Sequence, residues 1–256
     1  MLRRLLWGTV ALGLLLAAAA PEAATDPAPF DEHPYVGLAL FAVDGSVSHT
    51  CSGALLSPKI FLTAGHCTAG ADLAIVWTEF GEAFDMRSAI GGAPVTHPGF
   101  DAAVWSSAND LGVVILDEPV DLPGYAALPA LGAFDALAAG GAAGAPGGFT
   151  AVGFGVEAVV PFMQDQYVRV VTVPVAVELG EPSGDGATLT FASPLAGRTR
   201  EGACMGDGGR PVFIGSSGVL AGLASAVVGG PTCSGSGFYT RVDTPWAQEF
   251  IRGFLR

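Results

Sequence analysis

Positive charge is what this chain has least of. Lys and Arg number 11 against 24 Asp and Glu, a formal net charge of −13 at pH 7. Nucleic acid and anionic membrane surfaces attract basic patches, so neither is expected as a partner. Charge of either sign is sparse, at 14% of residues, while 50% of the 256 residues are apolar. That balance excludes a disordered chain and leaves ample sequence for a core. Cysteines number only 4. None stands in Cys-x-x-Cys spacing, so no metal is expected, and no cofactor. Beyond Ala20 no apolar run is long enough for a second span, and no solenoid-length repeat is present.

The chain opens with Arg3 and Arg4, followed by an apolar run from Leu5 to Ala20 that ends in small residues. This is the pattern of a signal peptide, assigned to residues 1–24, with the mature start between Pro21 and Asp26. No cysteine follows the run, which speaks against a lipid anchor. A secreted or periplasmic protein is expected, monomeric and free of the membrane once the signal is cleaved. Four cysteines in such a chain suggest two disulfides. Three connectivities are open on arithmetic; local spacing favours Cys51–Cys67, leaving Cys204–Cys233.

Past the export segment, short apolar runs alternate with turn residues, the rhythm of an antiparallel β protein. Tyr35–Val43 reads as a strand closed by the turn pair Asp44-Gly45. Ala54–Leu56 and Ile60–Ala64 flank Ser57-Pro58-Lys59, and Leu111–Leu116 is apolar throughout, as in a buried strand. Thr150–Phe154, Tyr167–Val175, Val212–Ile214 and Val219–Val228 continue the series. The Ala- and Gly-rich stretch Leu131–Gly148 reads as a surface connector between residues 25–130 and 149–256. At the end Thr244 suits a helix cap and Pro245 a first turn. Trp246, Phe250 and Phe254 then recur every four residues, predicting a short amphipathic helix.

Chemistry concentrates in three places. In Thr63-Ala64-Gly65-His66-Cys67, His66 follows an apolar strand and abuts a cysteine that anchors its loop. An imidazole is the natural general base near neutral pH when a carboxylate fixes its tautomer. Asn109-Asp110 offers that carboxylate at the mouth of the run Leu111–Leu116. A partly buried acid needs partners, and His66 and the hydroxyl of Ser225 are the expected ones. His33, His49 and His97 have no such context and read as structural. The third place is Cys204-Met205-Gly206-Asp207-Gly208-Gly209-Arg210-Pro211.

Together with Cys51-Ser52-Gly53 and Gly237-Phe238-Tyr239-Thr240-Arg241-Val242, these blocks resemble the chymotrypsin/trypsin-like serine proteases of the secreted bacterial type. They stand in that family's order and at about its spacing, over most of the chain from His33 onward. The resemblance implies an all-β fold of two packed antiparallel β-barrels with a short C-terminal α-helix. Residues 25–130 would form the barrel carrying His66 and Asp110, and residues 149–256 the second barrel and helix. It implies serine-type endopeptidase chemistry in the cleft between the barrels, where a peptide or protein ligand would lie. His66 matches the general base, Asp110 its orienting acid, and Ser225 the support of that acid. Gly206 and Gly208 match the oxyanion-hole residues, while Gly202, Val227 and Gly237 match the specificity pocket and suggest small aliphatic side chains.

Two departures matter. Gly208 stands where the family carries its nucleophilic serine, and Arg210 where it carries a glycine. An alignment that skips the serine also leaves no hydroxyl, and Ser216 and Ser217 lie beyond the next strand in a Gly-Ser-Ser-Gly turn. A pseudoprotease with a binding or regulatory role is therefore expected. The alternative is an active endopeptidase with a different residue at 208 or another nucleophile. The second departure is the missing Ile-Val-Gly-Gly start whose amino group would pair with Asp207; Arg210 or Arg169 is the expected substitute.

Overall fold

The computed structural model describes residues 33–78, 88–104, 109–135, 148–154, 170–172, 177–178, 188–191, 208–228 and 236–256. The first half is built from β1 (Val36–Val43), β2 (Ser46–Ser57), β3 (Ile60–Thr63), β4 (Leu73–Trp77), β5 (Ile90–Thr96) and β6 (Gly112–Leu116). The one-turn helix α1 (Gly65–Thr68) follows β3. Antiparallel pairing in the order β1-β2-β3-β6-β5-β4 closes these strands into a barrel. At the β1–β2 turn Asp44 and Gly45 take φ of 51° and 71°. Two left-handed residues match the twist of a hairpin, so Asp-Gly serves here for a geometric reason.

The second half contains β7 (Phe149–Gly153), β8 (Val170–Thr172), β9 (Val177–Glu178), β10 (Thr188–Phe191), β11 (Pro211–Ile214), β12 (Leu220–Val228) and β13 (Ser236–Arg241). They form a seven-stranded sheet in the order β8-β7-β11-β12-β13-β10-β9. Helix α2 (Pro245–Arg252) ends the chain, with the Thr244 hydroxyl accepting from Ala247 N–H and Pro245 in the first turn. The fold is all-β with a short C-terminal helix, as expected.

Differences from the expected strands have local causes. β5 was not anticipated because Gly91, Gly92 and Pro94 break its apolar pattern; pairing with β4 and β6 on either side holds it in place. Ile115 lies inside the apolar run of β6 yet is 37% exposed. The period of two puts it on the same strand face as Val113, which is fully buried, so this face is covered at one end of β6 and open at the other. Phe134, in the stretch read as a connector, is buried against Phe149, Val212 and Tyr239. Residues 136–147 lie outside the described residues, as does the signal segment.

One core runs through both halves. Leu38, Phe41, Leu55, Leu62 and Val113 of the barrel share a cluster with Val152, Phe213, Leu220 and Leu223 of the second sheet. Ala247 and Ile251 join it, so α2 packs back onto the body. His33 bridges the halves, its ring stacked 4.6 Å from Phe213 and its Nδ1 2.8 Å from the Tyr35 hydroxyl.

Candidate active site

Strand β3 delivers the chain into α1 with His66 at its second position and Cys67 at its third. Cys67 is disulfide-bonded to Cys51 of β2. Closing this loop contributes about 3 kcal/mol in the chain-entropy picture. His49 helps to hold the same turn: its Nε2 donates to the Cys67 carbonyl at 2.8 Å. Gly65 lets α1 approach β6, since a Cβ there would come within 2.9 Å of the Leu111 carbonyl oxygen and 3.2 Å of Asp110 Oδ1.

Asp110 is 2% exposed, and a carboxylate so placed must be compensated. Its Oδ1 accepts the His66 backbone N–H at 2.7 Å. Its Oδ2 faces His66 Nδ1 at 2.8 Å and accepts the Ser225 hydroxyl at 2.6 Å. Because the ionised carboxylate only accepts, Nδ1 carries the proton and the free lone pair sits on Nε2. The His66 side chain is 36% exposed, so Nε2 has access to a ligand. Sequence reasoning named all three residues, and the fold brings them together from α1, the mouth of β6 and β12.

Gly208 lies on the other side of the ring. Its carbonyl accepts from Ser52 N–H of β2 at 2.8 Å, and the next amide, Gly209 N–H, donates to the Ala224 carbonyl at 2.8 Å. The backbone is thus gripped by both sheets. A Cβ on Gly208 would stand 2.5 Å from His66 Nε2, 3.1 Å from Cys51 Sγ and 3.3 Å from Cys67 Sγ. Real Cβ atoms do not come so close, so the imidazole occupies the space a side chain would need. Gly209 cannot exchange roles with it: φ is +71°, and a Cβ there would run into Thr63 Oγ1 and the Ser52 carbonyl. Among the described residues of this loop, position 208 is the one whose side chain would point at His66 Nε2. Ser217 caps its own turn, donating to the Ile214 carbonyl at 2.6 Å.

Ser52 is the hub that sequence reasoning undervalued, although Cys51-Ser52-Gly53 was singled out. Its carbonyl accepts from Thr63 Oγ1 at 2.8 Å, and its hydroxyl accepts from Phe154 N–H at 2.7 Å. Arg210 is 2% exposed, with Nη2 donating to the Ala151 carbonyl at 3.4 Å. Its stem covers Gly153, where a Cβ would be 2.6 Å from Arg210 Cγ. Val227 and Gly237 face each other across β12 and β13. Gly202, Cys204, Gly206, Asp207, Cys233 and Arg169 lie outside the described residues.

The sequence model of the family described as Trypsin matches residues 24–247. The chain belongs to the trypsin family. Trypsin delta of Drosophila melanogaster is 26% identical over 188 residues, covering 70% of this chain and 69% of that protein. Trypsin alpha of Drosophila erecta is 27% identical over 183 residues, covering 70% and 68%. Among solved structures, HL collagenase superposes with a TM-score of 0.67 at 19% identity, over 86% of this chain and 94% of that one. Human heparin binding protein follows at 0.62 and 23%, over 87% and 91%. At such identities the structural likeness concerns fold alone. This trypsin-family chain thus combines a His66–Asp110–Ser225 hydrogen-bond network with a glycine, Gly208, beside the imidazole.

Proposed function

We propose that this protein is an exported trypsin-family pseudoprotease that binds a peptide or protein in its inter-barrel cleft without cleaving it. The observation that supports this most is the position of Gly208. Among the described residues of the loop, the position that would address His66 Nε2 has no side chain, and glycine offers no rotamer to restore a covalent step. Losing the nucleophile of a serine protease costs on the order of 10⁶ in turnover, or roughly 8 kcal/mol of transition-state stabilisation. What remains over water is roughly 10³–10⁴, which does not make a working protease. His66 serves in this reading as a hydrogen-bonding group for the ligand, oriented by Asp110 and Ser225. Gly206 and Gly208 would offer backbone donors to a ligand carbonyl, and Val227, Gly237 and Gly202 a narrow apolar pocket. A net charge of −13 disfavours the polyanion that gives the human heparin binding protein its name.

A fluorophosphonate probe tests the reading on the secreted protein. No labelling is expected. Labelling that disappears in His66→Ala would overturn it and favour an active endopeptidase, a reading that the intact His66–Asp110–Ser225 network supports. Gly208→Ser is the reciprocal test. The new Cβ must push the ring back by about an ångström, after which labelling and peptidase turnover should appear, by up to ~10⁶ over the parent. Arg210 stays in place in this variant, because its buried stem fills the space over Gly153.

A further inference from the structure

The space beside Gly208 is unusual for its donors. The point where a Cβ would stand is 2.5 Å from His66 Nε2, 3.1 Å from Cys51 Sγ and 3.3 Å from Cys67 Sγ. The imidazole nitrogen and the two sulfurs lie within 4.8 Å of one another. One nitrogen and two sulfurs around a single point is the donor set of a Cys₂His zinc site, which needs distances of roughly 2.0–2.3 Å. In the disulfide the sulfurs are spent on each other. As thiols they are free to close on a metal. The ring is prepared for it as well: Nδ1 is held by Asp110 Oδ2 at 2.8 Å, leaving Nε2 as the ligating nitrogen. A carboxylate behind a metal-bound imidazole is the usual outer support of such sites.

We propose that, while Cys51 and Cys67 are still thiols, they and His66 bind one divalent d¹⁰ cation of the zinc class at the place vacated by the side chain of residue 208. Each thiol gives up its proton as its sulfur coordinates, so two protons leave for one cation bound and no electron moves. Nε2 coordinates as the neutral imidazole, and the fourth position stays open to a water. Metal and disulfide are then two alternative staples for the same pair, β2 and α1. Glycine at 208 is the condition for the first, since any Cβ would stand on the metal. The proposal does not depend on whether the protein cleaves peptides.

The test refolds the full chain from the reduced, denatured state without oxygen in the presence of Co²⁺, followed by displacement with Zn²⁺. Wild type should take up one Co²⁺ per chain, with sulfur-to-cobalt charge-transfer absorption and the visible bands of a tetrahedral site, and Zn²⁺ should bleach both. The disulfide-bonded protein should take up none. Gly208→Ala should abolish the bands, His66→Gln should weaken binding by more than the outer-support range, and Asp110→Asn should weaken it by roughly 10–100-fold. Bands that survive in the Cys51→Ser, Cys67→Ser variant, or that are equal in wild type, Gly208→Ala and His66→Gln, would overturn the proposal. So would a reduced wild-type chain that shows no bands, whether it refolds, by near-ultraviolet circular dichroism, or stays unfolded with the metal present.

Discussion

The closed barrel of β1–β6 and the open sheet of β7–β13 contribute to the site in different currencies. The barrel supplies side chains: His66, Asp110 and the Cys51–Cys67 bridge. Among the described residues the sheet supplies one side chain, Ser225, and otherwise backbone, with Gly208 pinned through its carbonyl and the amide of Gly209. The difference separates the parts of a protease-like site that the fold itself holds in place from those it does not need. Asp110 is buried and accepts three hydrogen bonds from His66 and Ser225; removing any partner leaves charge or donors uncompensated, so folding itself retains the network. A nucleophile has no such duty. At position 208 a side chain serves chemistry alone, and glycine there costs the fold nothing that the ring cannot fill.

The most direct way to break this comparison is Asp110→Ala. If the acid side of the ring is kept for folding, the variant should lose about 3–5 kcal/mol of stability, because three donors lose their acceptor at about 1–3 kcal/mol for each one left unsatisfied. Urea denaturation of the two proteins measures it. A loss below about 1 kcal/mol would mean that the fold does not depend on the network.

Gly208→Ala probes the opposite side and should cost less, about 1–3 kcal/mol, through overpacking against His66 Nε2 and the disulfide. Imidazole proton resonances of His66 should move with it, because the ring is the softest of the three neighbours. An unchanged midpoint with unchanged resonances would show that the space at 208 is slack rather than filled.

Much of this was legible in the sequence, and the failures have physical reasons. An apolar run closed by an Asp-Gly turn declares itself locally, as β1 does, whereas of β2 only the apolar end Ala54–Leu56 was legible. β5 does not declare itself, because Gly91, Gly92 and Pro94 owe their extended form to strands on both sides. Ile115 was hidden by its neighbours: a run apolar at every position does not say where it is uncovered. Asp110 and Ser225 are separated from His66 by long stretches of chain, so no periodicity links them; the need of a partly buried acid for partners and the family resemblance of their motifs did. The distance from position 208 to Nε2 is another matter. It depends on how two sheets close on each other to within an ångström, and no spacing along the chain encodes that. Arg210 stands beside Arg169 as an expected ion-pair partner of Asp207; the packing of its stem over Gly153 has no signal along the chain.

Thr244→Ala tests the seam between the two halves. Helix α2 follows the second sheet in sequence, yet Trp246 and Phe250 pack against His97 at the end of barrel strand β5. Its cap is the Thr244 hydroxyl, which accepts from Ala247 N–H at 3.4 Å. Losing it should cost about 1 kcal/mol. Backbone hydrogen exchange should quicken in α2 and leave β2 and β3 unaffected; quickening spread evenly over the barrel would mean that the helix is no separate strap.

The smallest effect expected is a pH dependence from the same seam. Burial under Trp246 and Phe250 lowers the pKa of His97 below the ordinary 6.5. The geometry agrees, since Nδ1 already accepts the Gly99 N–H at 3.0 Å and has no room for a proton. The folded chain therefore binds fewer protons here than the unfolded chain between the lowered value and 6.5. Stability must fall as pH drops through that window and flatten below it, because unfolding is then coupled to proton uptake. His97→Gln keeps an acceptor for Gly99 but cannot titrate. Comparing denaturation midpoints at pH 7.5 and 5.5, the difference should be smaller in the variant than in the parent. Equal differences would place the acid sensitivity elsewhere, among the carboxylates of the barrel rather than under the helix that straps the two halves together.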